Sequence, residues 1–219
     1  MLKHFDILNG RTVIIIGFQR QGQALARWLP TVGARPIVTD SKTAAQLDID
    51  QSDYPGVRFI LGDNPLELLD NADLLCVSGG VPLTLPLIVE AVNRKIPVTN
   101  DAQLFVDRCP APVIGITGSA GKTTTTTLTG QIIKAAGHQT WIGGNIGNVL
   151  LDMLNYIQPK HRVVMELSSF QLELMHASPH ISAVLNITPN HLDRHGTMQA
   201  YVEAKAQILL HQGQNDVAV

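Results

Sequence analysis

The chain has 219 residues, 45% of them hydrophobic and 16% charged, with a formal net charge of −2. That length and apolar content allow one large or two ordinary domains around real cores. Its scattered Lys and Arg give no electrostatic footprint for nucleic acid or an anionic membrane, although backbone amides can still hold a small polyanion. The opening MLKHFDILNG lacks the apolar stretch and cleavage site of a signal peptide. The longest uncharged run, LLCVSGGVPLTLPLIV (74–89), is shorter than a membrane span of roughly 20 residues, and Gly79, Gly80, Pro82 and Pro86 interrupt it. The expectation is a cytoplasmic monomer with neither nucleic-acid nor membrane partners. Cys76 and Cys109 form no framework and no CxxC site, and both read as structural.

In chain order, Val- and Ile-rich runs alternate with helical patterns, the signature of parallel sheets flanked by helices. TVIIIG (12–17) leads into a helix whose Leu25, Trp28, Leu29 and Val32 share one face. Then come PIVT (36–39), RFIL (58–61), DLLCV (73–77), a helix over 86–94 and IPVT (96–99). CPAPV (109–113) carries two prolines and marks a boundary, giving domains over 1–108 and 109–219. The second series runs VIGIT, a glycine-rich loop, a helix to about Ala136, QTWIG, RVVME, ISAVLN, a helix over 198–210 and DVAV. That last run ends the chain as an apolar strand, so the second domain looks cut off at its C-terminal side.

GITGSAGKTTTTT (115–127) sets five threonines after a glycine turn and Lys122. β-branched residues are mediocre helix formers, yet Leu128, Ile132, Ala135 and Ala136 keep a 3.6-residue stripe and Gly137 suits a C-cap. The threonines therefore fall in a first helical turn, where free amides make hydroxyls useful. Strand, loop and helix together form a phosphate-binding loop of Gly118, Ser119, Gly121, Lys122, Thr123 and Thr124. In this reading Lys122 neutralises phosphate, Thr123 binds Mg²⁺ and Thr124 contacts phosphate, while the later threonines pack. The spacing is G-x-x-G-K-T, since Ile116 stands where the longer motif has glycine.

Downstream, RVVME puts Glu166 at the carboxyl end of a strand, the edge that faces ligands in open α/β sheets. A carboxylate there is the usual partner of nucleotide-bound Mg²⁺. NITPNHLDRHG (186–196) gathers His191, Asp193 and His195, and either a metal loop or a plain polar loop fits them. Lys205 falls on the stripe of Met198, Tyr201, Val202, Ile208 and Leu209. It either snorkels to the surface or reaches a site, altered or not. GGNIGN (143–148) offers close backbone approach and the Asn145 amide, or is simply a loop.

Taken in order, TGSAGKTT, GGNIGN, ELSSFQLE, NITPNHLDRH and YVEAK resemble the Mur ligase family, with VSGGVPL (77–83) and DAQLF (101–105) similar to its first domain. The resemblance implies a Rossmann-like domain for a UDP substrate, a central ATPase domain and a C-terminal amino-acid-binding domain that is absent from these 219 residues. It implies peptidoglycan precursor synthesis: ATP phosphorylates UDP-N-acetylmuramoyl-L-alanine, and D-glutamate displaces the phosphate. By the same resemblance Lys122 and Thr123 hold ATP and a first Mg²⁺ shared with Glu166. His191 would bind a second Mg²⁺, supported by Lys205 as a carbamylated lysine. Asn145, Ser168 and Gln171 would contact the muramoyl-alanine; Arg20, Gln21, Asp40, Ser41, Lys42 and Ser78 would meet the UDP. Gln19 stands where a glycine is usual and Ala120 where an asparagine is common. With its third domain missing, this chain alone should not complete the ligation. The competing readings are a non-catalytic nucleotide-binding fragment and another amide ligase of the superfamily, such as folylpolyglutamate synthase.

Overall fold

A computed structural model describes residues 6–219. The chain divides into two α/β units, the first ending at Asp101 and the second beginning at Ala102.

In the first unit β1 (Thr12–Ile16) is a run of β-branched residues with Val13, Ile14 and Ile15 fully buried, as a central parallel strand requires. Helix α1 (Arg20–Trp28) buries Leu25 and Trp28. The helix expected to run on through Val32 changes at Leu29 into a 3-10 turn containing Pro30, because proline has no N–H to continue the α ladder. β2 (Arg35–Asp40), α2 (Ala44–Leu47), β3 (Arg58–Leu61), β4 (Leu74–Val77), α3 (Pro86–Asn93) and β5 (Val98–Thr99) follow. A capping box between Thr43 and Gln46 starts α2, and Pro86 sits in the first turn of α3, where its missing donor costs nothing. The five strands are parallel in the order β3-β2-β1-β4-β5. Winding reverses around β1, the place where open α/β sheets open a crevice beyond their carboxyl ends.

Helix α4 (Asp101–Val106) begins on the last residue of the first unit and otherwise belongs to the second, where the Gln103 side chain accepts from the His176 amide at 2.7 Å. The second unit continues with β6 (Val113–Thr117), α5 (Lys122–Ala135), β7 (Thr140–Gly144), β8 (Arg162–Glu166), α6 (Ser169–Leu172), β9 (Ile181–Val184), α7 (Leu192–His195), α8 (Met198–Leu210) and β10 (Val217–Ala218). These strands are also parallel, in the order β10-β9-β6-β8-β7. β6 lies between β8 and β9, so the ends of all three meet where the winding reverses.

The four longer helices lie where the sequence periodicity puts them, but α5 buries a different face. Leu128 and Ile132 are 54% and 60% exposed, while Thr126 and Gly130 are buried. A Cβ on Gly130 would stand 2.2 Å from Ile142 Cδ1, so α5 packs on β7 through its smallest residues. No helix among the described residues is long and apolar enough to cross a membrane.

Candidate active site

In the first unit the carboxyl ends of β1, β2 and β4 are tied together by their own polar groups. Asp40, at the end of β2, accepts from the Phe18 amide at 2.8 Å and from the Lys42 amide at 2.9 Å. Ser78 is buried after β4 and donates to the Gly17 carbonyl at 2.7 Å. Phe18 is buried edge-on against Tyr54 and Phe59, with ring centroids 5.0 and 5.2 Å away. Gly22 lies so close to the turn that a Cβ would fall 2.0 Å from the Gly17 carbonyl oxygen. Gln19 is extended, with φ −91 and ψ −161, so this turn asks for no glycine there. Arg20 and Gln21 open α1 beside the turn, and Ser41 and Lys42 are exposed after β2. All six expected UDP residues thus lie at or next to one sheet edge.

In the second unit the loop between β6 and α5 turns through Gly118 to Gly121, whose φ of +81 starts the helix at Lys122. The first helical amides have no partner within the helix, and they belong to Lys122, Thr123 and Thr124. The Lys122 ammonium donates to the Gly118 and Ser119 carbonyls at 2.9 and 3.2 Å. Beside it the Lys205 ammonium donates to the same Gly118 carbonyl at 2.9 Å and to Thr117 Oγ1 at 3.3 Å. Lys205 is 1% exposed and lies 4.7 Å from the centre of the Tyr201 ring. It does not snorkel outward. Burial, with a smaller push from the Lys122 charge, lowers its pKa to about 8.

Glu166 ends β8, opposite Ile116 in the sheet register and 1% exposed. Its oxygens accept from Thr123 Oγ1 and Asn145 Nδ2, each at 2.8 Å. Asn145 reaches it because β7 ends in a glycine: a Cβ on Gly144 would lie 2.4 Å from the Glu166 carbonyl oxygen. A buried carboxylate with only neutral donors leaves its charge unmatched. A hydroxyl beside a carboxylate is also a donor set of the hard oxygens that Mg²⁺ prefers, so Thr123 and Glu166 fit a divalent cation.

Ser168 and Gln171, expected as substrate contacts, form a capping box that starts α6 just beyond Glu166. The Ser-x-x-Gln spacing in ELSSFQLE carries that signal.

The NHLDRH segment is not assembled into a metal site. His191 is exposed at the N-cap of α7 with φ +52, its ring edge-on to Phe170 at 5.3 Å. Asp193 is exposed too. The His195 side chain turns inward, with Nε2 2.9 Å from Ser169 Oγ, Nδ1 2.8 Å from Glu173 Oε1 and its ring stacked on Phe170. Half-burial raises the Glu173 carboxyl above its ordinary value, and His195 pulls the other way. Among the described residues no group of three or more His, Cys, Asp or Glu could hold a metal. Unmodified, Lys205 is a donor and offers no ligand to a second cation.

Comparison with known proteins matches this layout. Residues 116–219 match the Mur ligase middle domain, and residues 11–100 match the MurD-like N-terminal domain of Mur ligases. The chain belongs to the Mur ligase family. A protein of Symbiobacterium thermophilum named UDP-N-acetylmuramoylalanine–D-glutamate ligase is 45% identical over 204 residues, covering 92% of this chain and 45% of its own length. One of the same name from Pelotomaculum thermopropionicum is 42% identical over 222 residues, covering 100% and 48%. The chain spans about half the length of the curated relatives it matches. Among solved structures, a Neisseria meningitides ligase of UDP-N-acetylmuramate and a tripeptide covers 95% of this chain and 70% of its own, with TM-score 0.61 and 17% identity. UDP-N-acetylmuramate-alanine ligase of Thermotoga maritima covers 90% and 46%, with TM-score 0.54 and 22% identity. These two share the fold.

Proposed function

We propose that this chain forms the first two domains of a cytoplasmic, ATP-dependent ligase that joins D-glutamate to UDP-N-acetylmuramoyl-L-alanine in peptidoglycan precursor synthesis. The observation that carries the reading is the unmatched charge at one sheet edge, with Lys122 and Lys205 facing carbonyls and Glu166 facing neutral donors. Two ammoniums without an anion suit phosphate, and the buried carboxylate suits the cation that travels with it. The names of the relatives supply the substrates.

In this reading the substrate carboxylate attacks the γ-phosphorus of ATP, giving an acyl phosphate and ADP. The D-glutamate nitrogen, having lost a proton, then attacks the acyl carbon, and inorganic phosphate leaves with the C–O bonding pair. Lys122 and the first-turn amides hold the transferring phosphoryl group. Mg²⁺ on Thr123 and Glu166 would neutralise charge on the nucleotide. A carbamate on Lys205 would turn that donor into a carboxylate and so allow a second cation near His191. The lowered pKa supports this modification, because a neutral amine is the form that adds CO₂.

The test is phosphate release by the full-length protein, expected only when ATP, UDP-N-acetylmuramoyl-L-alanine and D-glutamate are all present. Equal release with L-glutamate, or with no amino acid, would sink the assignment. For the modification, Lys205→Ala should regain activity with added short carboxylates; no rescue at any concentration counts against the carbamate.

A further inference from the structure

The phosphate loop is gripped from outside by groups that the proposed reaction does not use. Asn186, two residues beyond β9, holds the Ala120 peptide at both ends: Oδ1 accepts from the Ala120 amide at 3.0 Å and Nδ2 donates to the Ala120 carbonyl at 3.0 Å. Its own carbonyl accepts from the Ser119 amide at 2.9 Å. The Ser119 hydroxyl is equally committed. It donates to the Thr188 carbonyl and accepts from the Thr188 amide, each at 2.9 Å, and stands 3.0 Å from the hydroxyl of Tyr201, itself 1% exposed. The amides of residues 119 and 120 therefore point at the 186–188 segment, and the amides of the α5 first turn are left for an anion.

We infer that Asn186 and Tyr201 are positioning residues that preset the phosphate loop for its nucleotide, with Ser119 as the point they fasten. The inference rests on the nucleotide reading above. A loop containing Gly118 and Gly121 loses much conformational freedom when it is ordered. Its ordering cost is subtracted from binding unless it is met beforehand. The clasp meets it in the free protein. Because Asn186 grips the peptide of residue 120, an alanine there serves the clasp as well as a larger side chain would. Tyr201 carries the grip inward, since its ring lies 5.1 Å from that of His195, which is fastened to α6 through Ser169.

The experiment measures ADP binding by calorimetry and steady-state kinetics on the full-length protein. Asn186→Ala removes an exposed side chain, Tyr201→Phe removes one hydroxyl at constant ring volume, and Ser119→Ala frees both Tyr201 and Thr188. Losing one or two hydrogen bonds of ordinary net worth should raise the ADP Kd and the nucleotide KM about tenfold in Asn186→Ala and Ser119→Ala, and about threefold in Tyr201→Phe. In Asn186→Ala and Tyr201→Phe, neither of which touches the proposed nucleotide, the KM for UDP-N-acetylmuramoyl-L-alanine and kcat at saturating nucleotide should stay within about twofold of wild type, a split that general loss of structure would not produce. An ADP Kd in Asn186→Ala or Ser119→Ala within about twofold of wild type overturns the clasp. ADP binding that survives Lys122→Ala unchanged overturns instead the nucleotide reading beneath it.

Discussion

The two sheet edges are built from similar parts to opposite effect. In the first unit the Asp40 carboxylate spends both oxygens on the amides of Phe18 and Lys42, and Ser78 spends its hydroxyl on Gly17. Charge there stiffens a turn. In the second unit Glu166, Lys122 and Lys205 are buried or half-buried among neutral partners, and among the described residues none forms an ion pair. Isolated buried charge is costly, and such cost is tolerated where a ligand will supply the missing partner. In the proposed reading the first edge shapes a surface for a ligand, while the second stores the electrostatics for one.

The largest effect that would break this contrast is at Glu166. Glu166→Gln keeps the volume and an oxygen acceptor but removes the unmatched charge, so the melting temperature should equal or exceed that of wild type. Phosphate release by the full-length protein should fall about 100-fold, as for other electrostatic groups of an active site. A stability loss together with near-normal turnover would mean that Glu166 is a structural strand-end residue and the contrast is false.

Lys205 sharpens the same point through pH. Its pKa is lowered to about 8 in the fold, against 10.5 for an ordinary lysine. Below about 8 both the folded and unfolded forms are protonated and the penalty is constant. Between about 8 and 10.5 the unfolded chain holds more protons, so stability rises with pH. Relative to Lys205→Met, wild type should gain on the order of 1 kcal/mol per pH unit across that window, read from denaturant midpoints. A flat difference would mean that the ammonium is solvated.

Much of this arrangement is legible in the sequence, because backbone periodicity and loop chemistry are local. TVIIIG, VIGIT and RVVME show their strands through β-branched runs, and G-x-x-G-K-T before a helix marks the phosphate loop. What is not legible depends on contacts between distant segments. Nothing in NITPNH says that Asn186 grips Ala120, or that His195 turns in to Ser169 and Glu173 while His191 stays out. The α1 stripe hides the Pro30 break only if periodicity outranks the missing N–H. In α5 the apolar stripe misleads because packing against β7 selects for closeness, and Thr126 and Gly130 come closer than Leu128 and Ile132 could.

At the first edge the expected effect is smaller. Asp40→Asn leaves one acceptor and turns an NH₂ group toward the second amide, so the turn at Phe18 or the loop at Lys42 is released. Losing one charge-assisted bond should weaken binding of the UDP substrate about tenfold. ADP affinity should be untouched, because the charges of the second edge are intact. Equal losses for both ligands would show that the edges do not act separately.

The smallest effect concerns the exposed face of α5. Leu128→Gln and Ile132→Gln should each change stability by less than about 0.5 kcal/mol, since neither side chain gives up buried area and Gln is a good helix former. Gly130→Ala should go the other way. Alanine gains up to about 1 kcal/mol of helix propensity, but its methyl group meets Ile142 Cδ1 at 2.2 Å and Cγ1 at 2.5 Å. Relief of that overlap requires Ile142 to leave its rotamer or α5 to shift on β7, and overpacking of this kind costs about 1 to 3 kcal/mol. Because Lys122, Thr123 and the free amides ride on the same helix, the shift should also weaken ADP binding. A Gly130→Ala protein at least as stable as wild type would show that α5 yields easily, and that its small-residue face is not what fixes the phosphate loop against Glu166.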